Sequence, residues 1–189
     1  MVAIIVQLAA FTAIGLLPPL FFRRGSFNPR WWATAIPFFV DPVALLAVAL
    51  GWLTPIVPPH SAHGRWLLVL SVPPALTCLV LIIRAVGAHR AAPALWHQEN
   101  DEPARVVRSG PYRRIRHPFY AAFLLAFAGA ALAAPHPVTI GCLLYGMLAL
   151  NLTAMREERR LLASRHRMEY RHYMSTTGRF SPWPRGTGR

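Results

Sequence analysis

The chain has no lysine, and only two cysteines and seven acidic residues in 189 positions. Each scarcity excludes something. Cys78 and Cys142 both sit inside apolar runs, where they act as small apolar residues, so neither a disulfide framework nor a thiolate metal site is implied. Charge is absent from residues 1–22, 66–83 and 118–155, and from 42–61 beyond Asp41. Such runs, with 54% hydrophobic residues and a mean hydropathy of +0.36, exclude an ordinary soluble domain. There is no internal repeat, Gly-rich phosphate loop, Walker motif or His/Cys metal cluster. The Asn151-Leu-Thr153 sequon falls inside an apolar run and reads as accidental.

One crossing of a bilayer takes about 20 apolar residues. The 38-residue run 118–155 therefore holds two, with Pro135-His-Pro137 as the turn between them. The fold expected is all-α: a polytopic integral membrane protein with about five transmembrane helices, near 2–22, 38–57, 66–86, 118–134 and 137–155. The first lacks the positive flank and short apolar core of a cleavable signal, and reads as a retained helix. Leu17-Pro-Pro-Leu20 and Val72-Pro-Pro-Ala75 should bend or break helices 1 and 3, because each proline removes a backbone hydrogen bond. Asp41-Pro42, placed at the start of helix 2, reads as an N-cap. The whole of 1–189 forms one membrane-embedded domain. Residues 1–86 read mainly as scaffold, and 87–189 as the functional half.

A formal net charge of +13 first suggests a nucleic-acid binder, but the placement of the twenty arginines argues otherwise. Three follow helix 1, seven lie between Arg84 and Arg116, nine between Arg156 and Arg189, and only Arg65 falls in the remaining loop. That asymmetry is the positive-inside pattern. It puts the N-terminus outside and the 23–35 loop, the 84–117 loop and the C-terminal tail in the cytoplasm, with anionic headgroups and not nucleic acid as partner. Arginine without lysine, with abundant Ala and Pro, points to a GC-rich bacterial genome and hence to the inner membrane. In the tail, Leu161, Leu162, His166, Met168, Glu169, Tyr170 and Tyr173 are spaced to extend a helix along the cytoplasmic surface, which Ser181-Pro-Trp-Pro184 ends.

Two polar segments flank the apolar hairpin. The first is Gly110-Pro-Tyr-Arg-Arg-Ile-Arg-His-Pro-Phe-Tyr120, and the second Arg156-Glu-Glu-Arg-Arg-Leu-Leu162. The hairpin brings both to one membrane face. His117-Pro118 stands where the loop enters a helix, and proline suits that first turn because its N–H groups lack intrahelical partners. Those N–H groups and the helix dipole favour an anionic ligand group. A lone His-Pro at such a place commonly serves as a cap, and Glu-Glu-Arg-Arg at a membrane boundary as a solvated junction. Acidic residues at a helix C-terminus nevertheless oppose the macrodipole, so Glu157 and Glu158 need another justification.

The pattern Ser-Gly-Pro-Tyr-Arg-x-x-Arg-His-Pro-x-Tyr, a two-helix hairpin, then Glu-Glu-x-x-Leu and a Tyr-x-x-Tyr tail resembles the isoprenylcysteine carboxyl methyltransferase family, grouped with the phospholipid methyltransferases. The resemblance covers about 97–184. It implies S-adenosyl-L-methionine bound on the cytoplasmic side. Its contacts would be His97 or Gln98, the stretch Ala104, Arg105, Val106 and Val107, then Tyr112, His117, Pro118, Phe119, Tyr120 and Glu157. Arg156 and Glu158 are the catalytic candidates, and the acceptor is a lipophilic small molecule or lipid. Where the eukaryotic isoprenylcysteine enzymes carry an acceptor-binding arginine four residues before the first Glu, this chain has Thr153, and Arg156 is the nearest replacement. If the acceptor is an amine or thiol, His117 or Glu158 would serve as base. Two alternatives stand beside this one: an NADPH-dependent reductase of sterol C14-reductase type, and a non-enzymatic protein that binds anionic lipid.

Overall fold

The computed structural model describes residues 1–20, 29–89 and 106–183, and among them the fold is six α-helices with no strand. They are α1 (Val2–Leu20), α2 (Pro29–Ala49), α3 (Ala62–Gly87), α4 (Pro118–Ala133), α5 (Pro137–Ala163) and α6 (Arg167–Thr176), with a 3-10 turn at Gly110–Arg113. Three segments are long and apolar enough to cross a membrane, Trp32–Ala49 in α2, Ala62–Gly87 and Pro137–Ala163. The apolar stretches Val2–Pro18 and Pro118–Ala133 are shorter.

The expected hairpin is present. α4 ends and α5 begins around Pro135-His-Pro137, and His136 caps α5 by accepting the Val138 N–H at its Nδ1. Because α4 has little but Ala, Phe and Leu on every side, it sits in the middle and is buried nearly all round. α3 packs along it most extensively, with α1 and α5 on further sides. Phe127 is the hub. It is fully buried, lies 4.9 Å from Phe38 of α2 and 5.8 Å from Phe11 of α1, and meets α5 at Gly146. A Cβ on Gly146 would stand 2.9 Å from that ring, so only glycine lets α5 come so close.

Three expectations are corrected. Helix 2 was expected over 38–57 but runs from Pro29 to Ala49. It stops because Gly51 takes a left-handed φ of 76°, returning the Trp52 and Leu53 N–H groups to the Ala47 carbonyl, and Pro55, Pro58 and Pro59 follow. Asp41 consequently is no N-cap. It lies inside α2, fully buried, and neither carboxylate oxygen has a hydrogen-bond partner among the described residues. In α3 the Pro73-Pro74 pair does not break the helix, which is continuous from Ala62 to Gly87 and packs on α4. Tertiary packing outweighs the lost backbone hydrogen bonds there.

The tail differs too. α5 continues past the apolar run to Ala163, breaks at Ser164, whose hydroxyl accepts the His166 N–H, and α6 follows. The aromatic face of α6 does not look out to lipid. Tyr170 and Tyr173 are buried against the protein, while Met168 stays exposed. Pro184 lies outside the described residues.

Candidate functional site

The site starts at the end of α3. Gly110 adopts a left-handed φ of 57°, and a Cβ there would stand 3.2 Å from Ala88 and 3.3 Å from the Arg84 carbonyl. That close approach seats the Ser-Gly-Pro-Tyr turn on α3. Ser109 donates its hydroxyl hydrogen to the Ala88 carbonyl, and the Tyr112 hydroxyl lies 2.9 Å from His89 Nε2. From the other side, the Tyr173 hydroxyl of α6 donates to the Tyr112 carbonyl at 2.5 Å.

Beyond the turn, residues 114–117 pair with the tail. Gly178 N–H donates to the Arg114 carbonyl, Arg116 N–H to the Gly178 carbonyl and His117 N–H to the Arg179 carbonyl, at 3.0, 2.8 and 3.1 Å. The stretch 177–180 is thus a strap laid across the entrance to α4. The Arg116 guanidinium reaches the Met174 and Thr177 carbonyls, which fixes the strap to the C-terminal end of α6.

Pro118 opens α4 as its first residue, as its fixed φ favours. His117 before it makes no capping bond with its side chain. Its ring is held between two carboxylates instead: Nδ1 is 3.3 Å from Glu157 Oε2, and Nε2 is 3.3 Å from Glu158 Oε1. The second contact is a charge attraction without hydrogen-bond alignment. The ring lies parallel to Tyr120, centroids 5.3 Å apart, and Phe180 of the strap meets it edge-on. Glu157 Oε1 accepts the Tyr120 hydroxyl hydrogen at 2.6 Å. Glu158 is bound by guanidiniums, Arg116 Nε at 2.9 Å and Arg179 Nη2 at 2.5 Å. Because α5 runs on to Ala163, the two acids lie within the helix and not in its last turn, and these cations balance Glu158.

Burial lowers the proton affinity of His117, but the close carboxylates of Glu157 and Glu158 outweigh it, so its pKa rises above the usual 6.5. The sign follows. Protonated His117 contributes stability that is fully present below pH 6.5 and is lost as pH rises through the raised folded value. Thermal unfolding midpoints should therefore fall across that interval, and His117→Gln should flatten the decline. Burial also raises the Tyr112 hydroxyl well above its ordinary value and pushes Tyr173 up to about 12, so both stay protonated hydroxyls.

Of the residues expected at the site, the fold brings together Tyr112, His117, Pro118, Phe119, Tyr120, Glu157 and Glu158. Val106 and Val107 lie half-buried in the chain leading to the turn. His97, Gln98, Ala104 and Arg105 lie outside the described residues. Arg156 is exposed, whereas Glu158, two positions on, is buried. Thr153 is buried and returns its hydroxyl hydrogen to the Ala149 carbonyl. Sequence reasoning missed Arg116 and Arg179 as members of the site. Arg116 stood inside the quoted motif, and two adjacent acids without local cations were a signal that partners must come from elsewhere.

Three helices long and apolar enough to cross a membrane, joined by a polar cluster where α4 begins beside α5, give the class of a helical, membrane-associated protein. Residues 75–167 match the family model described as phospholipid methyltransferase, in agreement with the family resemblance of the sequence. The matched stretch runs from Ala75 in α3 to Arg167 at the start of α6, and so contains both carboxylates, His117 and the whole hairpin. No curated protein and no solved structure matches the chain.

Proposed function

We propose that this protein is an S-adenosylmethionine-dependent methyltransferase acting at the membrane on a small lipophilic or lipid-like acceptor. In this reading about five segments cross a bacterial inner membrane, with the N-terminus outside and the site in the cytoplasm. The observation that carries the proposal is the contrast at the α5 end, within the family-matched stretch. Glu158 is 4% exposed and tied to two arginines, whereas Glu157 is 24% exposed and, among the described residues, held by a tyrosine hydroxyl and an imidazole. A half-open carboxylate beside aromatic rings suits a ligand that carries ammonium, hydroxyl and sulfonium groups.

S-adenosylmethionine, when bound, supplies a methyl group on a positively charged sulfur. The chain's own part is binding and orientation. Glu157 takes the ribose hydroxyls or the ammonium, and the Tyr112 ring attracts the cation. On the family resemblance, positions 97, 98 and 104–107 would add further cofactor contacts. Tyr120 has one face covered by His117, so its service is to fix Glu157 through its hydroxyl. An already anionic acceptor needs only alignment and exclusion of water. For an amine or thiol, His117 is the better base, because Glu158 is engaged by two guanidiniums. Arg156, exposed at the same helix end, is free to meet an anionic acceptor group.

Calorimetry of the detergent-purified protein tests this. The wild type should bind S-adenosylhomocysteine, and Glu157→Ala should weaken binding about 10- to 100-fold, the worth of a charge-assisted hydrogen bond. Absence of binding by the wild type would reject the methyltransferase, and binding of NADPH in its place would support the reductase.

A further inference from the structure

Two adjacent carboxylates reach the site from one turn of α5, and His117 touches both. An imidazole in that position goes to whichever carboxylate carries more unneutralised charge. Glu158 has little left to offer. Its Oε1 accepts from Arg116 Nε and from Arg179 Nε at 3.2 Å, and its Oε2 accepts from Arg179 Nη2 at 2.5 Å. Glu157 faces no guanidinium among the described residues, and the His117 ring stands between the acids, Nδ1 3.3 Å from Glu157 Oε2 and Nε2 3.3 Å from Glu158 Oε1.

The two arginines are not equivalent. Arg116 belongs to the same segment as His117 and divides its donors between Glu158 and the Met174 and Thr177 carbonyls. Arg179 comes from the strap and alone reaches Oε2 of Glu158. Its own place is well determined: its carbonyl accepts the His117 N–H, and its Nη1 donates to Asn151 Oδ1 at 2.7 Å. Strap, imidazole and carboxylate therefore form one closed circuit.

We propose that Arg179 is a positioning residue: by saturating Glu158 it assigns His117 to Glu157, and so holds Glu157 aimed at the ligand without touching the ligand itself. The inference rests on the role of Glu157 given above. Without Arg179, Oε2 of a nearly buried Glu158 would have no donor, an expensive state that the imidazole can relieve by turning toward it. Glu157 would then keep only Tyr120. The charged and titratable groups around His117 are Glu157 and Glu158 from α5, Arg116 beside it, Arg179 from the strap and Tyr120 from α4, with Tyr170 of α6 and Tyr112 in the field of the carboxylates. Of these, only Arg179 is brought by the strap.

The test is Arg179→Met, which keeps the aliphatic stem and removes the charge. Binding of S-adenosylhomocysteine should weaken about tenfold, as is typical when an outer-shell partner is lost. The turnover number at saturating donor should change less. In parallel, the His117 imidazole, observed by nitrogen NMR and assigned with His117→Gln, should titrate at higher pH in the variant, because one positive charge has left its surroundings. Arg179→Lys should restore the titration and part of the affinity, since a point charge cannot fill both oxygens as the fork does. If Arg179→Met does not fold, Arg179→Lys carries the measurement, with weakened binding expected. An unmoved His117 titration in Arg179→Met, whether or not the wild type binds S-adenosylhomocysteine, would overturn the proposal; where that variant does not fold, unweakened binding by Arg179→Lys would do so. Failure of the wild type to bind, with the titration moved, would reject the donor reading alone.

Discussion

Glu158→Ala should cost the protein about 3–5 kcal/mol of stability, the usual result of removing one partner from a buried ion pair. The carboxylate is 4% exposed and its partner Arg116 9%, so solvent screening offers little relief. Truncation leaves the Arg116 guanidinium buried beside His117 with no anion among the described residues but Glu157, and leaves Arg179 tied to α5 through Asn151 alone. Unfolding midpoints in detergent should show the loss. Glu158→Ala combined with Arg179→Met should be less damaging than the sum of the two single changes, because the second removes a cation that the first left unpaired. Glu157→Ala is the contrast, since it should take away ligand binding with a smaller loss of stability. Equal losses of stability at 157 and 158 would contradict the division of labour described for them.

Gly178→Ala should release the strap. A Cβ at this position would stand 2.0 Å from the Ser181 carbonyl oxygen and 2.4 Å from that of Trp183. Both are backbone atoms, so no side-chain rotation relieves the clash, and the turn after Gly178 has to open. Three backbone hydrogen bonds join 114–117 to 178–179, and at about 1 kcal/mol each their loss costs roughly 3 kcal/mol. Limited trypsin digestion gives a direct readout. The Arg179–Phe180 bond is held down in the wild type by the His117 N–H and by the Glu158 and Asn151 contacts of the Arg179 side chain. In the variant it should be cut early. A digestion pattern identical to wild type would show that the tail adapts without leaving the site.

Much of this molecule could be read along the chain. The α4–α5 hairpin followed from the uninterrupted apolar run and the Pro-His-Pro turn, and appears at the expected bounds except that α5 is longer. His117-Pro118 and Glu157 were found because their signals are local, a proline at a helix start and acids at the wrong end of a helix dipole. Other features were invisible to local signals. Asp41 looked like a cap because Asp-Pro is common at helix starts, yet α2 had already begun at Pro29, and packing carried the carboxylate into the interior. Tyr170 and Tyr173 looked lipid-facing because their spacing is amphipathic. An apolar face does not say whether lipid or protein covers it.

The two polar segments on either side of the hairpin are therefore the sequence's own contribution. Apolar run length and arginine placement determine that they meet, since a hairpin of two apolar helices has few other ways to lie. Only the tertiary structure decides which of two neighbouring glutamates is open. Both have the same chemistry and differ by one position, but a helix turns about 100° per residue. That rotation sends Glu158 toward Arg116 and the returning strap, where burial makes full pairing obligatory, and leaves Glu157 half-open beside Tyr120 and His117.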